Sequence, residues 1–379
     1  MKQLEGNLLT PSGWRRGYLR LSGEHIIELE GEPVDPEDND APRLIPGFID
    51  LHVHGGGGAD VMEGGDAAAT LARTHARFGT TSVLATTMTA SRPAIEQALG
   101  AVQQVMQDPP EQAADILGVH LEGPFISPER LGAQPPHARP GTREELESLM
   151  ALAPIRTLTL APEIAGHDAL IGWLNRHGVR VQLGHSDGDY DTMVAALAQG
   201  AHGFTHLYNA MRGLHHRDPG VVGAALARAE FAEIIPDLLH VAPGAALAAL
   251  RAIPGLYGIT DATAAAGMPE GQYRLGDNDV YKQGNSVRLA DGTLAGSALT
   301  MDVALRNWMT LGLSLAEASR RLSALPAHFL GLTDRGALVP GRRADVVTLD
   351  RQLNLQAVHV AGQPIAGVAE TGQPNEHPS

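Results

Sequence analysis

The sequence predicts a TIM-type (β/α)8 barrel joined to a small β-sandwich-like domain formed by the two chain ends, and three observations predict it. At 379 residues the chain accommodates one barrel of about 250 residues with roughly a hundred left for a companion. Through its middle, apolar β-type runs alternate with helical patterns, as βαβ units around a parallel sheet require. Imidazole and carboxylate side chains recur where those runs end, which on a closed barrel is one common rim.

Taken in order, residues 1–43 hold short alternating segments, Trp14 to Leu21 and Ile26 to Leu29, set apart by Gly and Pro. They read as strands ahead of the barrel. Eight barrel strands follow: Leu44–Leu51, Thr80–Ala85, Ile116–Leu121, Thr157–Leu160, Val179–Leu183, Gly203–His206, Glu233–Ile235 and Leu256–Thr260. Helices fill the gaps, one after Asp66 and ending near Gly79, one opened by a Thr142/Glu145 capping box, then Leu170–His177 and Thr192–Ala198. Residues 270–294 interrupt the pattern as a Gly-rich β-hairpin insertion before a helix near Leu299. Residues 336–379 return to strands, Ala344–Leu349 and Val358–Val360, with turns at Pro340-Gly341 and 361–364 and a polar tail from Glu370. The simplest packing joins 1–43 with 336–379 in one small β-domain and leaves 44–335 as the barrel.

Composition narrows the function. A hydrophobic content of 43% with 19% charged residues suits a globular enzyme and argues against disorder. The net charge of −15, without a Lys/Arg-rich run, excludes nucleic acid and an anionic membrane surface as expected partners. An anionic substrate then needs a few local basic residues. The absence of Cys removes disulfides, thiolate metal sites and Cys nucleophiles together. No basic n-region with an apolar core opens the chain, and no apolar stretch approaches the ~20 residues of a bilayer span, so a cytoplasmic location is expected.

Five places carry residues of catalytic type. His52 and His54 end the first strand two positions apart, so both rings share one face. As a bare pattern HxH is weak; at a barrel strand end before Gly55–Gly58 it gains weight. Glu122 ends the third strand, followed by Gly123-Pro124, which turn the chain away; His120 shares its face and is expected to support the site rather than join it. His185 follows the fifth strand after Gly184, and His206 ends the sixth. A lone His beside Gly is most often packed or exposed, but two at successive strand ends reinforce each other. Asp261 follows the eighth strand; alone it would be a turn former, but opposite four imidazoles and a carboxylate it becomes a proton acceptor. His75, His177 and His359 lack such placement and are assigned to core or surface.

The segments PGFIDLHVHGGGG (46–58), HLEGPFISP (120–128), GHSDGDYD (184–191), THLYNAM (205–211), TDATAAAG (260–267), LAGSALTMD (294–302) and GRRADVVTLD (341–350) span nearly the whole chain. In order and spacing they resemble the amidohydrolase superfamily, and within it the N-acetylglucosamine-6-phosphate deacetylase family. THLYNAM with HLEGP is far more specific than HxH. The resemblance implies a divalent cation, one or two per subunit, with zinc first and iron, cobalt or manganese accepted. Glu122, His185 and His206 would ligate the principal ion. His52 and His54 would take a second, with Glu122 bridging. That fits a chain whose only lysines, Lys2 and Lys282, are not placed to supply the carbamylated lysine many two-metal amidohydrolases use. Asp261 would be the general base, Asn209 and Ala210 would hold the sugar, and Arg217 and His240 would contact the phosphate across a homodimer interface. The implied reaction hydrolyses N-acetyl-D-glucosamine 6-phosphate to glucosamine 6-phosphate and acetate.

Two departures from the family pattern bear on that expectation. Gln134 stands in Gly132-Ala133-Gln134-Pro135-Pro136 where a His that polarises the substrate carbonyl is usual. Its amide still donates but carries no charge, and His137 lies three positions on. Near the phosphate contact, Asp237-Leu238 replaces a more usual Asp-Gly pair. Competing readings are an amidohydrolase for N-acetylgalactosamine 6-phosphate or an unphosphorylated amino sugar, and a non-catalytic sugar-phosphate-binding protein. A binding role alone needs no general base.

Overall fold

A computed structural model describes residues 1–368. Six parallel strands run side by side in chain order: Phe48–Val53, Thr80–Thr86, Asp115–Glu122, Ile155–Leu160, Arg180–Leu183 and Gly203–Phe204. A seventh, Phe231–Ile234, pairs in parallel with an eighth, Gly255–Gly258. The two sheets meet at the rim. Leu207 N–H donates to the Glu233 carbonyl at 2.8 Å. Asp261 N–H donates to His52 O at 2.9 Å, and His54 N–H to Ala262 O at 2.8 Å. The residues expected to carry chemistry thus also close the barrel.

These strands are buried over most of their length, as a parallel sheet covered by helices must be, and their β-branched and leucine side chains fill one continuous apolar core. The helix Ala67–Ala76 lies after the first strand, Arg143–Met150 after the third, His167–Arg176 after the fourth and Tyr190–Ala198 after the fifth. Thr142 caps its helix, Oγ1 accepting from Glu145 N–H at 3.2 Å, while the Glu145 carboxylate pairs with Arg139. The helix at Tyr190 is capped by Asp189, which accepts from Thr192 N–H at 2.8 Å. Just before it, Ser186 Oγ and Asp187 N–H both donate to the Glu163 carboxylate at 2.7 Å.

Both chain ends build one seven-stranded mixed sheet, in which Lys2–Thr10 runs parallel to Arg43–Pro46, itself antiparallel to Val346–Leu349. Leu8, Leu19, Leu21, Ile26, Leu44, Leu338 and Val346 give it a core of its own. One expectation is corrected here. The run read as a single strand, Leu44–Leu51, breaks at Gly47, with Arg43–Pro46 in the terminal sheet and Phe48–Val53 in the barrel. A Cβ on Gly47 would sit 2.3 Å from Thr81, so only glycine lets the chain cross so close to the second strand. The insertion expected as a hairpin is a three-stranded antiparallel sheet, Gly271–Leu275, Asn278–Gln283 and Ser286–Arg288. The tail from Glu370 lies outside the described residues. Among the described residues, no helix is long and apolar enough to cross a membrane.

Candidate active site

Three of the candidate side chains sit where the backbone turns at a strand end. His185, His206 and Asp261 hold left-handed backbone, with φ of 47°, 26° and 51°. For residues with a Cβ this costs about 1–3 kcal/mol each, and such strain collects where a side chain must be aimed. Gly184 supplies room before His185, since a Cβ there would lie 2.7 Å from Thr205 Cβ. His52 and His54, two apart on an extended strand, meet through their Nε2 atoms at 3.2 Å.

Glu122 is the hub. Its Oε1 lies 3.0 Å from His206 Nε2, 3.2 Å from His185 Nε2 and 3.5 Å from His52 Nε2. Its Oε2 lies 3.3 Å from His54 Nε2. The His185 and His206 Nε2 atoms approach to 3.0 Å. Asp261 Oδ1 completes the ring, 3.2 Å from His54 Nε2 and 3.4 Å from His52 Nε2. All six side chains are buried.

For three of the four rings, His185, His54 and His52, the far side shows which nitrogen carries the proton. His185 Nδ1 donates to Arg130 O at 2.8 Å and His54 Nδ1 to Thr86 O at 3.2 Å. His52 Nδ1 faces Glu233 Oε2 at 3.1 Å. Carbonyls and a carboxylate only accept there, so the N–H sits at Nδ1 and the Nε2 lone pairs converge inward. Nitrogen lone pairs and two carboxylates buried at 3.0–3.5 Å of one another repel unless positive charge lies among them. With protons as the only countercharge the cluster takes them up. Burial pulls His54 down, yet Asp261 and Glu122 draw it up to about 9. Burial pushes Glu122 up, but His52, His185 and His206 hold it well below the carboxylate range. Asp261 is held at about 2, where the His52 and His54 rings outweigh its burial. Among the described residues three groups have ligand atoms close enough to share a cation, Glu122/His185/His206, His52/His54/Glu122 and His52/His120/Glu233. Nitrogen and hard oxygen donors suit a divalent ion.

Residues 43–372 match the sequence profile of the Amidohydrolase family. The chain belongs to the amidohydrolase family. It is 42% identical to the N-acetylgalactosamine-6-phosphate deacetylase of Escherichia coli O157:H7, over 94% of this chain and 97% of that protein. It is 40% identical to the N-acetylglucosamine-6-phosphate deacetylase of Vibrio furnissii, over 89% and 85%. Among solved structures, an aspartate-to-alanine variant of the Mycobacterium smegmatis N-acetyl-D-glucosamine-6-phosphate deacetylase, in complex with N-acetyl-D-glucosamine-6-phosphate, superposes with a TM-score of 0.88. It shares 32% identity and covers 96% of this chain and 98% of that one. This amidohydrolase is therefore a metal-dependent hydrolase, with one cluster of side chains fit to hold the cation.

Above that cluster opens a cavity of about 400 Å³, lined by His54, Glu122, His185, His206 and Asp261 and walled by Gln134, Asn209, Ala210 and His240. His52 lies beneath it, fully buried. Arg217 and His137 do not line it. Arg217 is exposed on a loop with His216 and does not line the cavity of its own chain. His137 is also exposed, 3.9 Å from Asp277, and is no stand-in for the missing histidine. The turn before His240 survives without glycine: Leu238 takes a φ of 63° while Asp237 Oδ1 accepts from the N–H groups of Leu239 and His240, each at 2.9 Å.

Sequence reasoning missed Glu233 as a functional residue of this amidohydrolase, although it began a predicted strand. Fully buried, it holds His52, accepts from Gln182 Nε2 at 2.7 Å and is contacted by the Tyr257 hydroxyl at 3.3 Å. The signal was a carboxylate inside the apolar strand Phe231–Ile234, where an ion without a partner is too costly to keep. Asp50 is a parallel case, buried inside the first strand and taking 2.6 Å and 3.2 Å hydrogen bonds from Thr260, its carboxyl pushed by burial up to about 7. His120 does what was expected, facing the Leu51 carbonyl and Thr159 behind His52.

Proposed function

We propose that this amidohydrolase deacetylates N-acetyl-D-glucosamine 6-phosphate, in amino-sugar catabolism, releasing acetate and glucosamine 6-phosphate. The observation that carries the reading is the cavity that sets Asp261 beside the Glu122/His185/His206 group and His240 on the same wall. The names of the relatives support it.

Glu122, His185 and His206 are the residues we assign to the principal cation, and His52 and His54 to a second. Zinc is our first choice, with iron, cobalt and manganese suited to the same donors. A divalent cation held there supplies Lewis acidity to the acetamide carbonyl and makes water a nucleophile near neutral pH. Asp261 accepts a proton from the attacking water as its oxygen adds to the carbonyl carbon. It returns that proton to nitrogen as the C–N bond breaks. Asn209 and Ala210 hold the sugar ring.

For the phosphate we assign His240 from the cavity wall and Arg217 from the second subunit of a cytoplasmic homodimer. Arg217 supports this by its exposure, next to Leu214, itself 58% exposed. Division into a terminal β-domain, 1–43 with 336–379, and a barrel, 44–335, belongs to the same proposal, its first boundary adjusted for strand Arg43–Pro46.

Two tests follow from the phosphate assignment. Arg217→Ala should raise KM for the phosphorylated substrate about 10- to 100-fold, the worth of a lost charge-assisted pair of hydrogen bonds. KM for the unphosphorylated N-acetyl amino sugar should stay within about twofold; equal increases for both would remove the phosphate reading. The second test is pH. Burial lowers the His240 pKa, but the hydrogen bond to Asp237, at 2.7 Å, and its charge raise it above the ordinary value. The ring is therefore cationic below that raised pKa and neutral above it. Affinity for phosphorylated substrate should hold below that raised pKa and fall as pH rises through it, and His240→Gln should abolish that limb of the KM profile.

The relative from Escherichia coli keeps the 4-epimer in contention. Acetate release from N-acetylglucosamine 6-phosphate and N-acetylgalactosamine 6-phosphate, compared by kcat/KM with metal content measured on the same sample, decides between them.

A further inference from the structure

The side chain that replaces the family's usual histidine is engaged at both ends. Gln134, buried between the barrel and the insertion, donates from Nε2 to Glu122 Oε2 at 2.6 Å, and its Oε1 accepts from Thr89 N–H at 2.7 Å. This orientation is the one both partners permit, because a backbone N–H only donates and an ionised carboxylate only accepts. The segment carrying it is tied down in turn: Gln134 N–H donates to Leu131 O at 2.9 Å, and Asn278 of the insertion donates to Ala133 O at 2.9 Å.

The two oxygens of Glu122 are therefore unequal. Oε1 faces only imidazole nitrogens, His206, His185 and, farther off, His52. Oε2 faces His54 at 3.3 Å but already takes the short amide bond. A cation drawing on Oε2 meets a lone pair committed to Gln134 and the positive end of an N–H dipole pointed toward it. A cation on Oε1 meets neither.

We propose that Gln134 is a positioning residue that fixes the Glu122 carboxylate and makes the two cation subsites unequal: the Glu122/His185/His206 group binds tightly, and the His52/His54 group binds at least about tenfold more weakly. Tenfold corresponds to about 1.4 kcal/mol, which a single hydrogen bond to a charged group supplies.

This inference rests on the reading of the cluster as a cation site, and its test separates the two. Chelator-stripped full-length protein is titrated with zinc by calorimetry, with bound metal counted after desalting. The wild type should show one tight equivalent and a second at least about tenfold weaker. Gln134→Met fills the same space without a donor, and in it the second equivalent should tighten about tenfold while the first stays within threefold. Gln134→Glu, of the same length, replaces the donor by an anionic oxygen and should tighten the second equivalent further, giving a second route should the methionine variant fail to fold. Two equal equivalents in the wild type, or a second equivalent unmoved by either substitution, overturn the inference and leave the cation site standing. No zinc bound to any of the proteins overturns both.

Discussion

Asp261→Asn is expected to keep its cation and lose about 10³-fold in kcat, within the range a positioned proton carrier contributes, or roughly 4 kcal/mol of barrier. The backbone at Asp261 holds its left-handed turn through N–H to His52 O and through Ser297 N–H donating to its own carbonyl at 2.7 Å. Neither bond involves the side chain, so asparagine should occupy the same place. What it cannot do is take a proton from water and return it to the departing nitrogen. Because ground-state binding is left alone, KM should move little. Acetate release and metal content are to be measured on one preparation. Turnover near that of the wild type would remove Asp261 as the proton carrier. A loss of metal in proportion to the loss of kcat would make it a ligand instead, a role its 3.2 Å and 3.4 Å contacts with His54 and His52 make chemically accessible.

The barrel was legible because its signals are local and repeated. Apolar β-branched runs followed by helical periodicity mark each βα unit, and the barrel geometry then places every strand end on one rim. That is why His52, His54, Glu122, His185, His206 and Asp261, spread over about two hundred positions, could be grouped before any coordinates. Their contacts with one another now stand at 3.0–3.5 Å. The strand break at Gly47 was not legible. The run from Leu44 to Leu51 is apolar throughout, and only the crowding of Thr81 against Gly47 shows where the chain changes sheets.

Side chains that act through others were harder to find than those that face the cavity. Glu233 and Asp50 sit inside strands, where a motif search sees only an interruption of hydrophobicity. Their meaning lies in distant partners, His52 for the one and Thr260 for the other. A buried carboxylate in a barrel strand must be paired to persist, and asking that question of each such residue would have pointed to both. Gln134 posed the opposite problem. Its departure from the family pattern was visible, but the pattern offered a role toward substrate, and the hydrogen bond to Glu122 depends on where the Thr89 N–H points. Arg217 is exposed and does not line the cavity of its own chain, so the site's geometry alone would not have singled it out.

Glu122→Gln should be the most damaging single change. Glu122 belongs to both of the groups assigned to cations, Glu122/His185/His206 and His52/His54/Glu122, and an amide of the same shape offers a neutral oxygen where an anion is required. Metal content should fall to background, and with the Lewis acid gone, kcat/KM should drop at least about 10⁴-fold, several kcal/mol of transition-state stabilisation. Stability supplies a second readout that does not pass through catalysis. A ligand that binds only the folded state stabilises it by RT ln(1 + [L]/Kd), about 2.7 kcal/mol at a hundred times Kd. The melting temperature of the wild type should therefore climb as zinc is added to chelator-stripped protein, while that of Glu122→Gln should not respond. A fold that failed for unrelated reasons would melt early at every zinc concentration; loss of the cation site leaves the cation-free melting temperatures close and separates the two proteins only as metal is supplied. If the variant gained the same thermal protection as the wild type, the cation would have to be held elsewhere, and the assignment of Glu122 as its shared ligand would fall.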